Sequence, residues 1–91
     1  MRITYKGKPI FPTRTALDEL DAVGIDLLQA AAILEQGFEI RKRSSNMIER
    51  GVQKGKKIIN VVGVDMGGYV KLIHAGAFTS SSKFRRLKDG L

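Results

Sequence analysis

KKIINVVGVDMGGYVKLIHAGAF, residues Lys56 to Phe78, decides how this chain is built. The first part, KKIINVVGVD, is apolar on both sides of a two-residue repeat, the pattern of a strand covered on both faces and central in its sheet. Met66-Gly67-Gly68 breaks the run with turn residues, and YVKLIHAGAF resumes as a further strand. Strands joined by so short a connection pair antiparallel. A four-residue connection, Asp65 to Gly68, places Val64 opposite Tyr69, Val62 opposite Lys71, Asn60 opposite Ile73 and Ile59 opposite His74.

Upstream, Lys54-Gly55-Lys56 supplies a tight hairpin turn from a strand over Met47 to Gln53, itself preceded by the turn Ser44-Ser45-Asn46. In the segment after Gly37, Phe38, Ile40 and Lys42 share one face, with Glu39, Arg41 and Arg43 on the other. The period before Gly37 is helical. Asp26 with Gln29 has capping-box spacing ahead of LLQAAAILEQ, and Thr15 with Asp18 has the same spacing ahead of Ala16, Leu17, Leu20 and Val23, with Gly24 as the stop. At the start, Arg2 to Tyr5 alternate and turn back through Lys6-Gly7-Lys8-Pro9 to Ile10 and Phe11. The expected fold is α+β: two helices on one face of an antiparallel, mostly meander sheet of about four strands, with a short N-terminal hairpin. TSSSKFRRLKDGL adds a basic C-terminal helix or tail.

Ninety-one residues suit one domain over 1–91, divided into a core over 1–79 and a basic segment over 80–91. Without Cys there is no disulfide framework and no thiolate metal site, and an intracellular, cytoplasmic setting is expected. MRITYKGKP has no hydrophobic signal core and no apolar run is long enough to span a bilayer, so no membrane partner is expected. The net charge of +7 is unevenly spread: residues 1–37 carry four bases against five acids, whereas residues 38–91 carry twelve against four. That asymmetry points to a surface for polyanions.

If Phe38 and Ile40 face the helices, Arg41 and Arg43 face away, because a strand reverses its side chains at each residue. Asn60, Tyr69 and Lys71 join them on the open face, giving a cationic surface with an aromatic ring, and Arg85 and Arg86 extend it from the C-terminal segment. Guanidinium forks suit phosphate oxygens, and a ring suits an unstacked base. The same charges also serve simply to keep a small domain dissolved, and both readings stay open. His74, the single histidine, is expected toward the helices as a satisfied, half-buried imidazole. There is no HExxH, glycine-rich phosphate loop or nucleophile elbow, so no cofactor or metal is expected and the catalytic residues are unassigned.

TRTALDELDAVGIDLLQAAAILEQG, then a base-carrying strand, a hairpin and VVGVDMGGYVKLIHAGAF, resembles a family of small prokaryotic domains of unknown function related to the RelE, ParE and BrnT toxins. Thr15-Ala16 stands where His-Ala is usual there, and Ala22-Val23-Gly24-Ile25 replaces an Arg-Gly-Ile approach. The resemblance implies an RNA-directed domain: a metal-independent ribonuclease or translation inhibitor acting on RNA or the ribosome through Arg41, Arg43, Tyr69 and Lys71. The alternative is a non-enzymatic interaction module that binds an acidic, antitoxin-like protein or forms a homodimer through its apolar second helix.

Overall fold

The computed structural model describes residues 3–41 and 44–79. Eight elements follow in order: β1 (Thr4–Tyr5), β2 (Lys8–Pro12), α1 (Arg14–Val23), α2 (Leu27–Gln36), β3 (Phe38–Glu39), β4 (Met47–Lys54), β5 (Lys57–Asp65) and β6 (Val70–Thr79). The strands form one six-stranded sheet in the order β1-β2-β6-β5-β4-β3, curled into a half-barrel. Among the described residues no helix is long and apolar enough to cross a membrane.

This corrects the four-stranded antiparallel meander expected from the sequence. The sheet is mixed, because β2 runs parallel to β6 with Ile10 beside Val70, Phe11 beside Lys71 and Pro12 beside Leu72. A meander ending at β6 would leave that strand's outer N–H and C=O groups unpaired. Over Val70 to Leu72 β2 lies along that edge, and the Thr13 N–H continues the contact by donating to the Leu72 carbonyl at 2.9 Å. The N-terminal hairpin is therefore part of the sheet. Its turn has Lys6 and Gly7 at φ 49° and 82°, the left-handed pair that a two-residue hairpin favours. At the other edge, regular pairing covers only Phe38 and Glu39, so alternation does not extend to Arg41. The C-terminal segment lies outside the described residues.

α1 starts at Thr13 rather than at the Thr15 pair. The Thr13 hydroxyl accepts from the Ala16 N–H at 3.0 Å, because β2 releases the chain at that point. Gly24, at φ 88°, closes the helix, and its N–H and that of Ile25 both donate to the Leu20 carbonyl. α2 carries the expected capping box: Asp26 Oδ1 accepts from the Gln29 N–H at 2.7 Å and Gln29 Oε1 from the Asp26 N–H at 2.9 Å. Its end is set by close packing. A methyl on Gly37 would stand 2.5 Å from the Ile33 carbonyl oxygen and 2.6 Å from that of Gly51, so only hydrogen fits where α2 turns down beside β4.

Both helices lie on one face of the sheet, where Ala16, Leu20, Ala30, Ala31, Ile33 and Leu34 meet Ile59, Val61, Val70, Leu72 and Ala75. α2 is not enclosed all round: Leu28 is 53% exposed and Ala32 also faces out. The register between β5 and β6 differs from the expected one. Asp65 pairs with Val70, Val64 with Lys71 and Gly63 with Leu72; a bulge at Ile73 then shifts the ladder so that Val62 meets His74 and Asn60 meets Gly76.

The opposite face is not bare. Ile58 and Val62 are buried there although they alternate with the helix-covered Ile59 and Val61. Ile40 joins them, its Cδ1 2.8 Å from where a Gly51 methyl would stand. Ile40 therefore faces away from the helices, opposite to the side expected for it.

Candidate nucleic-acid interface

Glu49 is the one buried charged residue among those described. It sits on β4 opposite Val62, on the sheet face away from the helices. Arg41 Nε stands 3.2 Å from Glu49 Oε1, and Asn60 Nδ2 donates to Glu49 Oε2 at 3.1 Å. An interior carboxylate needs a counter-charge and filled lone pairs, and these two residues supply them. Arg41 and Asn60 are thus brought together as expected, but around an acid of their own chain. The Arg41 side chain is 60% exposed, and its charge has this carboxylate as a local counter-charge. Arg43, Arg85 and Arg86 lie outside the described residues.

Tyr69 and Lys71 belong to a second group at the other end of the same face. Val64 pairs with Lys71, and Asn60 is four residues along β5 from Val64, about 13 Å at the rise of an extended strand. Phe11, opposite Lys71 on β2, completes this group. The Phe11 and Tyr69 rings meet edge to face with centroids 5.6 Å apart, and they remain 56% and 36% exposed. Edge-to-face contact fixes both rings while leaving ring surface open to solvent. Lys71 is exposed and makes no ion pair among the described residues. The acid at the head of the same strand pair is neutralised: Lys8 Nζ binds both Asp65 oxygens, at 2.9 and 2.8 Å, and with the Gly67 N–H holds that carboxyl below the usual carboxylate range.

Phe11 and Glu49 were missed in the sequence. Phe11 follows the buried Ile10, so alternation would have turned it outward once residues 8–12 were read as a sheet strand. For Glu49 the signal was a lone acid inside a strand, on the same side as Gly51.

His74 is not half-buried. Its side chain is 57% exposed, and Nδ1 lies 3.1 Å from Glu19 Oε1 on α1. That oxygen also accepts the Ala75 N–H at 3.1 Å. The Ala75 hydrogen bond, followed by the contact with His74, holds the Glu19 carboxyl below its ordinary value against the opposing effect of burial. Glu19 is therefore a support for the outer edge of β6, which β2 pairs only as far as Leu72. Comparison with family models, with curated proteins and with solved structures finds no match for this chain.

Proposed function

We propose that this chain is an RNA-directed domain of the toxin-like kind its sequence resembles, and that it holds single-stranded RNA along Phe11, Tyr69 and Lys71. One observation carries the reading: two exposed rings in fixed edge-to-face contact beside an ammonium group that has no ion pair among the described residues. A base stacks on an aromatic face whatever its identity, and the neighbouring cation takes the phosphate that follows. This makes a sequence-tolerant contact, suited to a single strand rather than to a duplex with stacked bases. Arg41 has a different role in this reading, as the counter-charge of Glu49, so binding does not depend on it. Translation inhibition then rests on occupying RNA, and strand cleavage would need groups beyond this strip.

The test is fluorescence anisotropy with a labelled oligouridylate. The parent is expected to bind, and Phe11→Ala or Tyr69→Ala to lose roughly 1–3 kcal/mol, the worth of one base on a ring. Incubating ribosome-bound messenger RNA with the protein in EDTA separates binding from cleavage. A parent that binds no single-stranded RNA at low salt overturns the proposal.

A further inference from the structure

The free end of β6 and the cleft beside it form a second surface, distinct from the aromatic strip. β2 covers β6 only from Val70 to Leu72. Past the bulge, the Ala75 N–H points away from β5, since it donates to Glu19 on α1. In an antiparallel ladder a residue's N–H and C=O point the same way, and the direction reverses at each residue. Ala77 and Thr79 therefore also direct a donor and an acceptor outward, and among the described residues nothing takes them up. Both residues are exposed.

Beside this edge a cleft of about 420 Å³ opens between the end of α1 and the β4–β5 hairpin, with Ala22, Val23, Ile59 and Ala77 as apolar lining and Lys54 and Lys57 as its charged members. Lys54 and Lys57 face each other across the ladder, with Lys56 in the turn between them. None of the three makes an ion pair among the described residues. Lysines at a sheet end commonly block unwanted pairing, but these three stand on the hairpin and leave the Ala77 edge open. Among the described residues, an unpaired edge, an apolar recess and ammonium groups without ion pairs together define one kind of occupant.

We propose that an extended, acidic segment of a partner protein adds to β6 at Ala77–Thr79, with apolar side chains entering the cleft and carboxylates meeting Lys54 and Lys57. Backbone hydrogen bonds hold the strand, alternate side chains fill the recess, and the charge complement selects the partner.

A short peptide alternating Val with Glu is the probe, and the same peptide with Lys in place of Glu is its control. The acidic peptide alone is expected to bind, and amide exchange at Ala77 and Thr79 to slow on saturation. Lys54→Glu with Lys57→Glu should weaken binding by about tenfold or more. Ala77→Pro removes the outward donor without breaking a β5–β6 ladder bond, and should weaken binding comparably. Should that variant fail to fold by circular dichroism, the amide protection in the parent decides. Phe11→Ala should bind the peptide as the parent does, which keeps this result separate from RNA binding. Absence of peptide binding, binding without protection of those two amides, or protection of them by oligouridylate instead would each overturn the proposal.

Discussion

Arg41 Nε lies 3.2 Å from Oε1 of Glu49, so a largely exposed guanidinium is bound to a carboxylate that is only 3% exposed. Two roles for an arginine separate here. A guanidinium serving RNA would have its charge uncompensated, whereas this one serves the fold. Arg41→Ala should therefore lower the unfolding free energy by about 1–3 kcal/mol, the range for removing a partner from a buried polar group. It should change oligouridylate affinity less than Phe11→Ala does. Urea denaturation and anisotropy on the same preparations check both halves.

Lys71 makes a different prediction because its ammonium group has no ion-pair partner among the described residues. Lys71→Ala should weaken RNA binding across sequences and flatten the dependence of log affinity on log salt by about 0.7, the value for one phosphate on a single strand. Titrations at several salt concentrations measure that slope. An unchanged slope would take Lys71 off the RNA path.

Leu34 is fully buried between α2 and the sheet. Leu34→Ala should cost roughly 2–5 kcal/mol, from lost transfer energy and the cavity left behind. By contrast, Leu28→Ala on the exposed side of the same helix should stay within about 0.5 kcal/mol. Thermal and urea unfolding of the two variants compare them directly, and a large effect at Leu28 would indicate that this side is covered in solution.

Acid should weaken the fold through Glu19 and Asp65, whose carboxyls are both held below their ordinary values of 4.5 and 3.8. A depressed carboxyl contributes stability that is complete above its unfolded pKa and is lost as pH falls through the folded one. The loss therefore begins below about pH 5 and deepens toward pH 2. Glu19→Gln keeps an oxygen for the Ala75 N–H but cannot titrate, so its stability should fall less steeply over that window. Equal slopes for parent and variant would refute the assignment.

At Gly37 the contact is with backbone and cannot be relieved by rotating a side chain. Gly37→Ala should destabilise by at least about 1–3 kcal/mol, the range for overpacking, and should displace the end of α2 from β4. Slower-exchanging amides in β5 than in β3 and β4 would locate the damage at that edge.

What the sequence disclosed was mostly local. The Asp26–Gln29 box could be read because both halves of a capping box lie within one turn. Thr13 and Thr15 are two residues apart and both suit a cap; the choice falls to a hydrogen bond from Thr13 to Leu72, which no local spacing reveals. The same holds for β2. Nothing in KPIFP states that it will lie beside β6, so an antiparallel meander was the expectation and a mixed sheet is the result. For the site, alternation placed Tyr69 and Lys71 on the face away from the helices, but their neighbour Phe11 comes from the unforeseen strand. The ion pair of Arg41 is not legible from alternation, because regular β3 pairing ends before it and its partner Glu49 comes from another strand.

Pairing Ile10 with Val70 also imposes an order of events on a chain made from its N-terminus. When β2 leaves the ribosome its eventual neighbour has not been synthesised, and Thr13 cannot find Leu72 until nearly all the described residues have emerged. Sheet completion is thus a late, long-range step, and the nascent chain must keep Ile10 and Phe11 unpaired meanwhile. The pair of rings proposed to hold RNA comes into being only at that final step, so a truncated product would lack the contact altogether.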